Sequence, residues 1–180
     1  MLIAEDLALL LAEGDTGASG TATPRGEYSL AGALLIELAL LDRVDVTGGT
    51  HPVDAAPRTP DPDGTGDADG ADGAGAPDPP TTGRLVVRDP ASTGHPALDS
   101  ALAVLTTLES ARPKDAVGAL AQHAVSTDLR SAPESGTADL DRLRARLREV
   151  LLDGREPDER TTALIALLTG TDAVGGALGP

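Results

Sequence analysis

Glu27-Tyr-Ser-Leu-Ala-Gly-Ala-Leu-Leu-Ile-Glu-Leu-Ala-Leu-Leu-Asp42 is the stretch on which the fold turns. Apolar side chains fall on every side of a helical wheel here, so no continuous polar stripe can be drawn. In a soluble protein a helix of that kind is buried on most of its sides. The segment therefore reads as the central core helix. It does not read as a membrane span, because its longest apolar run, Ala31 to Leu41, is eleven residues and contains Glu37, against the roughly 20 residues a spanning helix needs.

On the amino-terminal side, Leu2, Ile3, Leu7, Leu10 and Leu11 recur at helical spacing, and Glu5 and Asp6 occupy the early turns, where acids suit the helix dipole. A short amphipathic helix over Leu2 to Glu13 follows, then a loop from Gly14 to Gly26 rich in turn-forming residues. The early acids and the lack of a basic region argue against a secretory leader, which leaves the cytoplasm as the expected location. On the carboxyl side, Arg43-Val-Asp-Val-Thr47 and Arg84-Leu-Val-Val-Arg88 are short β-branched runs that suit a two-stranded hairpin. Between them, Gly48 to Gly83 is built from Gly, Pro, Asp, Ala and Thr, a composition that buries too little apolar surface to offset ordering. It is expected to be a disordered acidic linker.

Three or four further helices are expected beyond the hairpin, over Ala97 to Ser110, Asp115 to Val125, Ala138 to Asp153 and Asp158 to Thr169. Asp158, following Pro157, is well placed to cap the last of them. Ser126 to Gly136 and the tail Gly175 to Pro180 read as turn-like and loose. The fold class is thus mainly α, a single helical domain over 1–180 with a small two-stranded β-hairpin, interrupted by the acidic insertion at 48–83.

Charge and composition narrow the function. The formal charge is −15, which repels phosphate backbones and disfavours nonspecific nucleic-acid binding. The linker carries seven aspartates and one arginine, so −9 remains on the rest of the chain and the folded part is acidic too. With no cysteine there is no disulfide, thiolate metal site or thiol nucleophile. One tyrosine and no phenylalanine or tryptophan leave almost nothing for sugar or base stacking.

Individual motifs mostly favour structural readings. Asp61, Asp63, Thr65, Gly66 and Asp72 approximate a calcium loop, yet the last ligand is not the bidentate glutamate and no helix flanks it, so a solvated acidic linker is favoured and no metal is expected. The glycines of 14–20 lack the Gly-Lys-Ser/Thr ending of a nucleotide loop and follow a helix instead of a strand. His51, His95 and His123 are scattered and read as surface residues. Glu37 is either a buried acid with catalytic potential or a structural glutamate that pairs with an arginine or reaches solvent, and the structural reading is favoured because no second polar group converges on it. Arg142 and Arg146 fall on one flank of the third late helix and Arg144 and Arg148 on the other, a pattern of solvated, self-paired charge with anionic-lipid contact as the alternative. No nucleophile, base and orienter can be assembled, so no enzyme and no cofactor are expected.

Four blocks in order resemble the Golgi phosphoprotein 3-like family, in its bacterial, actinobacterial members. They are Leu2-Ile-Ala-Glu-Asp-Leu-Ala-Leu-Leu-Leu11, Ser29-Leu-Ala-Gly-Ala-Leu-Leu-Ile-Glu-Leu-Ala-Leu-Leu-Asp-Arg-Val44, Leu98-Asp-Ser-Ala-Leu102, and the segment from Arg144 through Arg155-Glu-Pro-Asp-Glu-Arg160 to Leu168. The resemblance implies a mostly helical peripheral membrane protein that binds phosphatidylinositol 4-phosphate and in eukaryotes supports Golgi retention of glycosyltransferases. The family's lipid pocket uses a tryptophan and an arginine around the second helix. This chain has no tryptophan and carries Ala31 where that arginine aligns. At the family's other basic positions it has Glu156 and Glu159, with Arg155 and Arg160 beside them. Candidate headgroup-binding residues are therefore Arg155, Arg160, Arg148 and Arg144, and a lipid-binding member should bring them onto one concave face. Against the family pattern the chain reads as shortened between Ala124 and Ala138 and after Thr169. The rival expectation is a protein-interaction or adaptor member that has lost lipid binding, marked by an exposed apolar patch on the shortened side.

Overall fold

A computed structural model describes residues 2–13, 21, 23–47, 83–108, 111–123, 125, 129 and 137–179. The acidic stretch 48–82, with the calcium-like motif and His51, lies outside the described residues, as do 14–20 and most of 126–136. Among the described residues the order is α1 (Ile3–Glu13), α2 (Pro24–Leu40), β1 (Val44–Thr47), β2 (Arg84–Val87), α3 (Pro96–Thr107), α4 (Pro113–His123), α5 (Thr137–Leu151), α6 (Glu159–Gly170) and α7 (Val174–Leu178). The protein is mainly helical with a two-stranded antiparallel hairpin.

α2 is the hub its apolar surface requires: α1, α3, α4 and α6 pack around it and β1 leans on its end. Leu30, Ala31, Ala33, Leu34 and Leu38 are fully buried, and Glu37 is buried with them. The helix starts at Pro24, three residues before the sequence reading placed it. Thr23 caps it, its Oγ1 accepting from Gly26 N at 3.0 Å, and Pro24 fills the first turn where a missing N–H costs nothing.

Both α2 and α6 end in the same way, with an aspartate in the left-handed region. Asp42 (φ 55°) and Asp172 (φ 59°) each donate to the carbonyl three residues back, and Arg43 and Ala173 each donate to the carbonyl five back. This is the Schellman arrangement that satisfies a helix's last carbonyls and turns the chain sharply. After Asp42 the turn feeds β1, which pairs with β2 in the register Val44↔Val87 to Thr47↔Arg84, burying Val44 and Leu85. Gly83 closes the hairpin where a Cβ would stand 2.3 Å from the Thr47 carbonyl oxygen, so a side chain there forces the strands apart.

The second turn corrects the expectation of a loose tail. Ala173 leads into α7, whose Ala177 is buried and which packs on α1, α5 and α6. Two glycines in five residues give this helix poor intrinsic propensity, and burial against three neighbours overrides it. Among the described residues no helix is long and apolar enough to cross a membrane.

Candidate functional site: an arginine-lined cleft between α5 and α6

α5 presents Leu140, Leu143 and Leu147 to the core, so its arginines must leave along its two edges. Arg142 and Arg146, one turn apart, line the edge that faces the start of α6 and the first turn of α1. Gly154 (φ 72°) bends the chain back after α5, with Arg155 N donating to the Glu149 carbonyl at 3.0 Å. A left-handed residue at this position is what folds Arg155 over the cleft instead of carrying it away.

The result is a depression in two connected parts. The inner part, about 390 Å³, lies between Asp6 of α1, Asp139, Arg142 and Arg146 of α5, and Asp158, Arg160 and Thr161 at the start of α6, with Ile3, Leu143 and Leu164 as its apolar wall. The outer part, about 420 Å³, shares Arg142, Arg146, Asp158 and Thr161 and adds Glu149, Arg155, Glu156 and Pro157.

Each charge has a definable setting. Asp158 caps α6, its Oδ1 accepting from Thr161 N at 2.7 Å, and hydrogen bonds from Thr161 hold the Asp158 carboxyl below its ordinary value. Arg142 pairs with Asp139 at 2.8 Å and Arg155 with Glu149, both on exposed surface. Arg160 reaches inward to Glu37, whose side chain is 1% exposed against 45% for the arginine. The other Glu37 oxygen accepts from Ile3 N at 3.0 Å, so one buried carboxylate of α2 caps α1 and anchors α6. Burial pushes the Asp6 carboxyl up to about 6; Arg146 and the amino-terminal charge oppose the shift, and Glu5 and Glu37 reinforce it. Arg146 has no carboxylate within ion-pair distance among the described residues.

Of the four arginines taken from the sequence, the cleft brings two together: Arg160 in its inner part and Arg155 in its outer part. Arg148 instead donates to the Leu178 carbonyl, and both Arg148 and Arg144 reach Gly179 beyond α7 on the opposite edge of α5. Arg142 and Arg146 take their place. Their shared flank is readable from the spacing, but which flank meets α6 is set by the packing of α5. Asp6 had no sequence signal beyond its place in a first helical turn. Ala31, which the resemblance aligns with the family's arginine, is inside the core. His95 is half-buried and bound to Glu5 at 3.1 Å, which ties α3 to α1, whereas His123 is exposed as expected.

The chain is thus a mainly helical domain built around one buried helix, with an arginine-lined depression at the start of α6 and no membrane-crossing helix among the described residues. The model of the Golgi phosphoprotein 3 (GPP34) family matches residues 3–132, and the chain belongs to that family. Among curated proteins no match was found. The matched stretch runs from α1 through α4, so it includes Asp6 and Glu37, while the arginines of the cleft lie beyond it.

Proposed function

We propose that this protein is a peripheral membrane protein that takes the phosphorylated headgroup of a phosphoinositide, phosphatidylinositol 4-phosphate by the family's pattern, into the cleft between α5 and α6. The observation that carries the reading is the convergence of Arg142, Arg146 and Arg155 around one depression, with Arg146 in no ion pair among the described residues. Guanidinium groups bind phosphate oxygens through paired, charge-assisted hydrogen bonds, which a scattered set of charges does not reproduce. The overall charge of −15 opposes adsorption to anionic membranes, so attraction has to come from this local group. The role is one of binding at the cytoplasmic face of a membrane, without catalysis.

Cosedimentation with phosphatidylcholine vesicles, with and without phosphatidylinositol 4-phosphate, tests this. Binding is expected only with the phosphoinositide and weakens by roughly tenfold in Arg146→Ala, in line with the loss of a charge-assisted contact. Lys114→Ala on α4 should bind as the parent does. Equal binding to both kinds of vesicle, or undiminished binding by Arg146→Ala, sinks the proposal.

A second reading, a protein-interaction member without lipid binding, is favoured by one feature. Leu151 and Leu152 at the end of α5 are 38% and 68% exposed, an apolar pair beside the cleft. A folded protein that ignores both kinds of vesicle would turn attention to that surface.

A further inference from the structure

The inner part of the cleft contains an arrangement that a simple phosphate site does not need. Asp6 lines it from α1, together with Arg142 and Arg146, which the headgroup reading assigns to phosphate. Around it stand Asp139, Arg142 and Arg146 from α5, Asp158 and Arg160 from α6, Glu37 from α2 and Glu5 on its own helix. α7, which also packs on α1, carries no titratable side chain. Two of the neighbouring cations are already engaged, Arg160 by Glu37 and Arg142 by Asp139. Arg146 is in no ion pair among the described residues, and it is the cation that acts most strongly on Asp6. An incoming phosphate dianion and an ionised Asp6 would therefore share the field of the same guanidinium while repelling each other in a partly desolvated space.

We infer that Asp6 is a proton-dependent gate on the cleft: protonated, it leaves Arg146 to a phosphate-class anion and can itself donate a hydrogen bond to it, and ionised, it disfavours that anion. The inference rests on the headgroup reading and deepens it. Burial places the Asp6 titration near pH 6, so the gate operates between mildly acidic and neutral conditions. Binding then takes up a proton, and affinity falls as pH rises through that range. Asp158 does not share this behaviour, because hydrogen bonds from Thr161 hold its carboxyl below the ordinary value.

Sulfate is the suitable soluble probe, because its charge stays constant from pH 5.5 to 7.5. Its dissociation constant should tighten on the order of tenfold between pH 7.5 and pH 5.5 at fixed ionic strength, as linkage to one group titrating near 6 requires. Asp6→Asn, which keeps the shape of the side chain, should bind at the tight level at both pH values. Calorimetry of the unaltered protein at pH 6.5, in two buffers of different ionisation enthalpy, should show uptake of more than half a proton per sulfate bound. Zero uptake, or the same pH dependence in Asp6→Asn as in the parent, overturns the gate. Sulfate binding that is equal at both pH values overturns the gate and leaves the headgroup reading standing. No sulfate binding at either pH overturns both. Vesicles containing phosphatidylinositol 4-phosphate form the second arm. A gate seen with sulfate but no vesicle binding at either pH assigns the anion to solution and overturns the lipid reading alone.

Discussion

Glu37 illustrates how one residue's chemistry can be reassigned by its neighbours. A lone acid in an apolar helix suggests either an unusual acid or a structural pair, and the structure gives it two partners, Arg160 and the Ile3 amide. The two sides of this pair are not equivalent. Removing Arg160 leaves a buried carboxylate without its cation, whereas removing the Glu37 charge leaves an arginine that is already 45% exposed and can turn to water. Arg160→Ala is therefore expected to lower stability by about 3 kcal/mol, and Glu37→Gln, which keeps an acceptor for Ile3 N, by about 1 kcal/mol. Urea denaturation of both variants checks the order, and equal losses would contradict the asymmetry. The same argument makes Arg146→Ala a cleaner probe of lipid binding than Arg160→Ala, since Arg146 holds no buried partner. Asp6 works in the opposite sense. Its raised value means that it favours the fold most below its unfolded value of 3.8 and that this contribution is lost as pH rises toward 6. A half-buried acid held at that cost needs a reason, and the proton gate supplies one.

At the scale of elements, the cleft depends on where α6 begins. Asp158 fixes that point by capping, and Asp158→Ala should cost about 1 kcal/mol of stability at pH 7. Its carboxyl value is lowered, so the stabilisation is present above the unfolded value of 3.8 and is lost as pH falls through the folded value. Thermal melts of parent and variant should thus differ at pH 7 and converge in strong acid; a gap that persists there would mean that the cap acts through something other than its charge. The existence and type of the long elements were legible because periodicity and caps agree locally: α1, α2, α3, α4, α5, α6 and both strands all lie where pattern reading puts them, within a few residues. α7 was not legible. Its sequence, Val174-Gly-Gly-Ala-Leu178, carries no helical pattern of its own, and the energy that forms it comes from the surfaces of α1, α5 and α6.

For the molecule as a whole, the charge of −15 acts on folding and on binding with opposite salt dependence. Repulsion among surplus carboxylates destabilises the compact state, so raising NaCl from 10 to 300 mM at pH 7.5 is expected to increase the melting temperature by a few degrees. Over the same range, binding to vesicles containing phosphatidylinositol 4-phosphate should weaken, because the guanidinium contacts are screened. A melting temperature that falls with salt would show that the exposed ion pairs, such as Arg155 with Glu149, outweigh the net repulsion. What the amino-acid sequence determined by itself was whatever depends on neighbours along the chain: the buried character of α2, the cap at Asp158, the hairpin, the exclusion of thiol and stacking chemistry, and the family. Only the tertiary structure decided which edge of α5 forms the cleft, that Arg144 and Arg148 turn to the end of α7, that Arg160 is spent on Glu37, and that Asp6 stands among the cleft's arginines. The physical reason is one of range. Periodicity and capping are local interactions encoded within a few residues, whereas a site is made by packing surfaces that the chain brings together from positions more than a hundred residues apart.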